Sequence, residues 1–174
     1  MTSKFSRNIK KILLLLLVVG GSWAFSRWAI DPETIMVNGK TVKVIDGDSF
    51  KDGAVEFRIY GIDAPEYRQT CQDAAGANWP CGKSARQGLE TLLRGGGFNC
   101  EVRARDQYGR HIVSCMSGND DLGATLVEQG HAISSANFDS LIYGAEEAAA
   151  EKAKRGIWQG RFEKPANWRS AHPR

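Results

Sequence analysis

Three short segments of this chain carry acidic and basic side chains at spacings suited to chemistry on a phosphate. They are VIDGDS at residues 44–49, RIYGIDAPE at residues 58–66 and DQYGR at residues 106–110. Carboxylates are the hard oxygen ligands that calcium and magnesium prefer in proteins. Guanidinium groups bind phosphate oxygens through paired hydrogen bonds, and a carboxylate can activate a water molecule as a general base. Together these groups are what the hydrolysis of a phosphodiester requires.

Each of these segments, taken alone, also has an ordinary structural explanation. A DGD sequence is usually a turn, an arginine in a strand is usually solvated, and a DxYGR sequence is usually the tip of a hairpin. The three segments occur in one order, with carboxylates and arginines interleaved on short strands and loops. This combination favours a site over three unrelated turns.

The residues that hold these segments in place follow a strand pattern. The predicted strands cover residues 41–46, 49–51, 54–63, 98–105 and 111–116. Asp52-Gly53 between two alternating runs is a hairpin signal. In the third strand, Phe57 and Ile59 face one side of the sheet and Arg58 faces the other, because successive side chains alternate. The pattern therefore holds Arg58 on a rigid strand, away from the apolar face.

Three helices complete the predicted elements. The first has an apolar face formed by Ala85, Leu89, Leu92 and Leu93 and ends at three consecutive glycines. The others cover residues 121–129, with Asp120 or Asp121 as the cap, and residues 140–155. One helix between the third and fourth of five strands predicts an α+β fold built on a five-stranded Greek-key OB-fold barrel, a class that binds oligonucleotides and oligosaccharides.

With their order and spacing, the three segments resemble the staphylococcal nuclease family over residues 41–158. The resemblance implies a calcium-dependent endonuclease that hydrolyses phosphodiester bonds of DNA or RNA. It implies that Asp48 and Asp63 bind Ca²⁺, together with the backbone carbonyl of Ala64. Threonine is common in the family at the position of Ala64, and a carbonyl ligand tolerates that change.

The same resemblance suggests roles for the other residues of the three segments. Glu66 corresponds to the presumed general base. Arg58 and Arg110 correspond to the two arginines that clamp the phosphate, and Tyr108 to a tyrosine that bonds the terminal phosphate. Asp46 is expected to lie one layer outside the cation ligands. The resemblance thus predicts a catalytic set of Arg58, Glu66 and Arg110.

One position departs from the family pattern. The sequence after the second helix places Ala136 where the family prototype has a tyrosine that stacks on the base, and Phe138 follows two residues later. An aromatic platform typically contributes roughly 1–3 kcal/mol per base. We therefore expect weaker base binding with the phosphate chemistry unchanged.

Charge is unevenly distributed along the chain. Residues 31–174 contain 18 Lys and Arg against 20 Asp and Glu, although the whole chain has a formal charge of +3. The excess positive charge lies in residues 1–30, where four bases precede an apolar run at residues 12–25. This pattern predicts an export signal, cleaved or retained as a membrane anchor, with the domain outside the cytoplasm. Nucleic-acid binding must then depend on placed arginines or a cation.

Four cysteines fit an exported chain. Cys71 and Cys81 bracket a polar loop, and Cys100 and Cys115 flank DQYGR almost symmetrically. An even count in an exported protein predicts two disulfides, Cys71–Cys81 and Cys100–Cys115. A zinc site is the alternative, but the chain has no CxxC and no histidine at ligand spacing to these thiols.

The predicted organisation has four parts: a signal or anchor at 1–30, a linker at 31–40, the OB-fold domain at 41–160 and a C-terminal tail at 161–174. The expected partners are a nucleic-acid substrate and, if the first segment is uncleaved, a membrane. No obligate protein partner is inferred. Two alternatives stay open, a non-catalytic module that binds nucleic acid or protein and an oligosaccharide-binding barrel.

Overall fold

A computed structural model of the protein describes residues 32–135 and 142–173. The described residues from Glu33 onward belong to one compact unit. The strands, numbered in chain order, are β1 Thr34–Asn38, β2 Lys43–Val44, β3 Ser49–Asp52, β4 Val55–Ile59, β5 Ile62–Asp63, β6 Cys71–Gln72, β7 Asn78–Trp79, β8 Gly97–Arg105, β9 His111–Ser117, β10 Asp120–Asp121 and β11 Ile133–Ser134. The helices are α1 Cys81–Arg94, α2 Leu122–Glu128, α3 Gly144–Lys152 and α4 Pro165–Ala171, with a 3₁₀ turn at Gly156–Gln159.

The central element is a curled, mixed sheet of seven strands in the order β1-β8-β9-β4-β3-β2, with β10 added to β9. β4 and β9 are parallel, and the other pairs in this sheet are antiparallel. The prediction of five barrel strands is therefore correct in its OB-like architecture and wrong in the strand count. The five predicted runs are all present, and helix α1 follows the third of them, as expected.

β1 lies within the segment predicted as a linker. Thr34–Asn38 pairs with β8 in antiparallel register, so that Val37 lies opposite Phe98 and both are buried. Thr34–Asn38 of the predicted linker is thus part of the sheet. A five-residue strand at the sheet edge buries few side chains, and its alternation is too short to be distinguished from an extended linker.

Four helices occur among the described residues, where three were expected. The second helix begins after Asp121, whose carboxylate accepts hydrogen bonds from the backbone N–H groups of Gly123 and Ala124. That cap was predicted as one of two candidates. The additional helix is α4, which lies in the segment predicted to be a tail. Helix α3 is shorter than the predicted 140–155 and covers Gly144–Lys152.

The core lies between the inner face of the sheet and helices α1 and α2. Phe50 of β3 and Phe57 of β4 stack with ring centroids 5.1 Å apart. Leu89 and Leu93 of α1 are fully buried against this layer. A second, smaller cluster joins the Cys71–Cys81 disulfide to Ile157 and to the aromatic pair Trp158 and Phe162. This second cluster packs the C-terminal segment against the disulfide loop.

Both predicted disulfides are present. Cys100 and Cys115 lie directly opposite each other on β8 and β9, as the symmetry around DQYGR predicted. The other bridge closes a loop that contains the small hairpin of β6 and β7. The described residues contain no free cysteine.

Two sequence predictions lie outside the described residues. These are the apolar signal or anchor at residues 1–30 and the alanine at position 136, with Phe138. No helix in residues 32–135 or 142–173 is long and apolar enough to cross a membrane.

Candidate active site

The turn between β2 and β3 fixes the first acidic residues of the site. Asp46 accepts a hydrogen bond from the hydroxyl of Ser49, which closes the turn. Gly47 lies against the side chains of Ala64 and Ala85, and a Cβ at Gly47 would come within 2.7 Å of each. The glycine of DGD is therefore required for this close approach.

Arg58 on β4 joins the two aspartates predicted as cation ligands. Its Nη1 lies 2.9 Å from Asp48 Oδ1, and its Nη2 lies 2.8 Å from Asp48 Oδ2 and 3.3 Å from Asp63 Oδ1. The backbone N–H of Ala64 also donates to Asp48 Oδ2, at 3.2 Å. Both aspartates are buried, with exposures of 2% and 5%. One guanidinium nitrogen thus lies between two buried carboxylates.

Burial and charge oppose each other in this cluster. Burial raises the pKa of Asp48 well above its ordinary value, the positive charge of Arg58 acts in the opposite direction, and Asp46 adds to the rise. Burial disfavours the charged form of Arg58, but Asp48 and Asp63 outweigh it, so that the pKa of Arg58 is raised. Arg58 is therefore charged at every physiological pH and partly offsets the effect of burial on Asp48.

Glu66 is positioned by a tight turn after β5. Its backbone N–H donates to Gln69 Oε1 at 3.1 Å, and its carbonyl accepts from the Gln69 N–H at 2.7 Å. Gln69 is fully buried. The first turn of α1 packs directly on this backbone, because a Cβ on Gly82 would overlap the carbonyl oxygen of Glu66. The position of Glu66 therefore depends on Gly82 and Gln69.

The hairpin between β8 and β9 presents Arg110 and Tyr108. Arg110 Nε lies 2.6 Å from Asp106 Oδ2, and the guanidinium lies 5.6 Å from the centre of the Tyr108 ring. Burial opposes ionisation of Asp106, but hydrogen bonds from the Arg110 side chain and from the backbone together outweigh it and lower the pKa of Asp106. Tyr108 is 75% exposed. Asp106 thus orients Arg110 and leaves its two terminal nitrogens for another acceptor.

One open groove of about 1700 Å³ brings these elements together. Arg58, Glu66, Tyr108 and Arg110 line it, as does Asp46. Asp48, Asp63 and Ala64 are buried next to the lining residues. Arg58 contacts both aspartates, and the backbone N–H of Ala64 donates to Asp48. The structure therefore assembles the predicted residues around one groove, although Arg110 and Tyr108 lie on a different hairpin from the aspartates.

A third arginine of the site was missed by the sequence analysis. Arg169 of α4 lies 2.8 and 3.1 Å from the two carboxylate oxygens of Asp63, and 3.1 Å from Glu66 Oε1. Burial disfavours its charge, but Asp63 and Glu66 outweigh that cost, so that the pKa of Arg169 is raised. Pro165 at the first turn and Pro173 beyond the last were the available helix signals. They do not indicate that α4 reaches the site.

The donor atoms of the site fit a hard divalent cation. Asp48 and Asp63 offer carboxylate oxygens around a shared position that a positively charged nitrogen of Arg58 now contacts. In the part of the chain that the structure describes, no group of three or more His, Cys, Asp or Glu side chains is placed to hold a metal. A cation here would therefore take two carboxylates, and backbone oxygens and water would supply its remaining ligands. The Ala64 carbonyl stays a predicted ligand.

Comparison with known families matches a staphylococcal nuclease homologue model to residues 56–160. The match includes β4, the Glu66 turn and the Arg110 hairpin, and it begins after Asp46 and Asp48.

Three relatives are similar to this chain over part of their length. The succinoglycan biosynthesis protein ExoI of Rhizobium meliloti is 31% identical over 122 residues, which are 69% of this chain and 64% of that protein. A probable endonuclease of Kluyveromyces lactis is 29% identical over 66% of this chain and 46% of its own length. A probable staphylococcal-like nuclease of Oryza sativa subsp. japonica is 27% identical, over 64% of this chain and 31% of that protein.

The chain spans less than two thirds of each of these three relatives. The family model nevertheless matches more than half of the present sequence and includes most of the elements around the groove. On this match, the chain belongs to the staphylococcal nuclease homologue family.

Proposed function

We propose that this protein hydrolyses phosphodiester bonds of DNA or RNA, with Ca²⁺ as its cofactor. The observation that carries the proposal is the convergence of Glu66, Arg58 and Arg110 on one groove next to a buried pair of aspartates. The names of two relatives, a probable endonuclease and a probable nuclease, agree with it.

Glu66 is the proposed general base in this mechanism. It takes a proton from a water molecule that attacks phosphorus in line with the leaving oxygen. Arg58 and Arg110 bind the phosphoryl oxygens as negative charge develops on them. Two arginines on separate elements, β4 and the β8–β9 hairpin, can contact different oxygens of one phosphate.

The cation is proposed to supply positive charge against the same phosphate when it is bound by Asp48 and Asp63. These carboxylates contact Arg58, so a cation bound by them would lie close to the strand arginine. The buried surroundings strengthen electrostatic interactions there, because the effective dielectric constant is lower than that of water. Asp46 fixes the turn that carries Asp48 and has no proposed contact with the cation.

The groove, rather than a broad basic surface, is the proposed binding site for the DNA or RNA chain. The 18 bases and 20 acids of residues 31–174 give no net positive field. Exposed Tyr108 beside Arg110 offers an aromatic face at the groove wall, and stacking on such faces binds single strands without sequence preference. We therefore expect single-stranded substrates to be preferred.

Export of the domain is a separate part of the proposal. Two disulfides among the described cysteines support an oxidising compartment. The basic, apolar residues 1–30 would direct the domain there, as a cleaved signal or a retained anchor. A reporter fused after residue 174 should be active outside the cytoplasm and inactive in it, and the opposite result would overturn the export proposal.

Incubation of the purified full-length chain with single-stranded DNA or RNA tests the activity. We expect fragments with calcium and none with a chelator. Binding without cleavage in calcium would instead identify a non-catalytic module. Similarity to a succinoglycan biosynthesis protein makes polysaccharide binding the second candidate, so an acidic polysaccharide is the comparison ligand. Tight binding of the polysaccharide with no attack on nucleic acid would favour that function.

A further inference from the structure

Helix α4 brings a positive charge to the carboxylates that are proposed to bind the cation. Both oxygens of Asp63 contact the Arg169 guanidinium, through Nη1 at 2.8 Å and Nη2 at 3.1 Å. The same Nη1 contacts Glu66 Oε1 at 3.1 Å. A bidentate arginine–carboxylate pair is a strong, directional contact. Arg169 therefore binds one proposed cation ligand and the proposed general base together.

The position of Arg169 is fixed by contacts on the N-terminal side of α4. The buried Gln69, which holds the Glu66 turn, donates from Nε2 to the backbone carbonyl of Glu163 at 2.7 Å. The backbone N–H of Gln72 donates to the Arg161 carbonyl at 2.8 Å, and Pro165 is buried. A helix of two turns is marginal on its own in water. These contacts are what place α4 over the site.

Arg169 and a divalent cation require the same atoms. A cation ligated by Asp63 needs a carboxylate lone pair directed toward it, and both oxygens now accept from Arg169. A guanidinium and a divalent cation on one carboxylate would also repel each other. Arg58 makes a similar paired contact with Asp48, the other proposed ligand, but it contacts only one oxygen of Asp63, so Arg169 is the arginine that binds both oxygens of Asp63.

We propose that Arg169 is a resident counter-cation, which competes with the divalent cation for Asp63 and thereby sets the cation affinity of the site. This inference rests on the cation site of the proposed function. It adds one residue that determines how tightly that site binds the cation. Displacement of Arg169 also breaks its contact with Glu66 Oε1, so that cation binding and this contact of the general base are coupled. By linkage, a substitution that removes the competitor tightens cation binding.

Calorimetric titration of the full-length chain with CaCl₂, without nucleic acid, tests the proposal. The variant is Arg169→Gln, which keeps a polar side chain of similar length and removes the charge. The matched control is Arg161→Gln, which removes one charge from an exposed residue of the same segment. Arg169→Lys keeps the charge without the paired donors and provides a second variant if Arg169→Gln fails to fold. Circular dichroism establishes that each protein is folded.

We expect Arg169→Gln to bind calcium at least about fivefold more tightly than the wild type, in the range usual for coupling between sites. Arg169→Lys should lie between them, and Arg161→Gln should match the wild type. Equal calcium affinity in the wild type and both Arg169 variants would overturn the competition and leave the calcium assignment intact. If neither the wild type nor any variant binds calcium, the cofactor assignment and this inference are both wrong. If Arg161→Gln tightens calcium binding as much as Arg169→Gln does, the change in net charge explains the effect, and a specific role for Arg169 is contradicted.

Discussion

Arg58 contacts both aspartates that the family resemblance identifies as cation ligands, whereas its expected role is to bind phosphate. The two roles are compatible because the side chain enters the groove from β4 and its guanidinium has donors on several sides. Its contacts with Asp48 and Asp63 hold the guanidinium in one orientation before substrate binds. Such preorganisation removes part of the cost of ordering a long side chain.

Arg58→Lys should lower turnover by roughly 100-fold or more, because the ammonium lacks the paired donors that fit a phosphate and a carboxylate. The measurement is the rate of cleavage at saturating calcium and substrate, with thermal unfolding of the same samples. Arg103→Lys is the control, since Arg103 pairs with Glu101 on the exposed part of β8. Turnover within a few-fold of wild type in Arg58→Lys would remove Arg58 from the mechanism.

Sequence alone could predict most residues of the site but not Arg169. Asp48, Asp63 and Arg58 lie in motifs whose order is informative, and the structure brings them within hydrogen-bonding distance. Arg169 is 106 residues from Asp63 in the chain, and no local pattern specifies that long-range contact. Its placement depends on how Gln69 and the disulfide loop hold the C-terminal segment, which is a property of tertiary packing.

Among the helices and strands, those with strong hydrophobic periodicity are predicted correctly from the sequence, whereas the shortest ones are not. Helix α1 has Ala85, Leu89 and Leu93 on one buried face, and its existence and end follow from that spacing. β1 and α4 have five and seven residues and were assigned to a linker and a tail. Elements of this length carry little hydrophobic periodicity, so that partners elsewhere in the chain decide whether they form.

The contact between α1 and the Glu66 turn gives a prediction at this scale. Gly82→Ala should destabilise the protein by about 1–3 kcal/mol, the usual range for overpacking, because the added Cβ overlaps the Glu66 carbonyl. It should also lower turnover at temperatures where the protein stays folded, because the turn carrying Glu66 must shift. Chemical denaturation and the cleavage rate measure the two effects.

Gly96→Ala is the matched control, because a Cβ at Gly96 would lie 4.0 Å from the hydroxyl oxygen of Ser117 and would overlap nothing. Its stability and turnover should stay close to those of the wild type. Wild-type values for both quantities in Gly82→Ala would show that the Glu66 turn does not depend on this close packing.

For the molecule as a whole, His131 predicts how stability changes with pH. The half-buried ring of His131 lies against Gly88 of α1, and burial lowers its pKa below the ordinary value. The unfolded chain therefore binds a proton more readily, and the free energy of unfolding should fall as the pH falls through the ordinary histidine pKa of about 6.5. Above that pH both states are neutral at this residue, and its contribution to the pH dependence vanishes.

The measurement is urea unfolding of the wild type and His131→Gln between pH 5 and 8. The difference in unfolding free energy between the two proteins should be constant above about pH 7. Below that pH the wild type should lose unfolding free energy relative to His131→Gln. A difference that is independent of pH across this range would mean that His131 is protonated equally in the folded and unfolded states.

At the scale of the whole molecule, the proposed hydrolysis of a phosphodiester requires the groove, the buried acidic pair and Glu66 to act together. Glu66→Gln tests it most directly, since glutamine keeps the shape of the side chain and cannot accept the proton. The measurement is single-stranded DNA cleavage at saturating calcium by wild type and variant, both shown to be folded. We expect the wild type to cleave and the variant to be slower by about 10²–10⁴-fold. Equal cleavage rates in the two proteins would contradict the account.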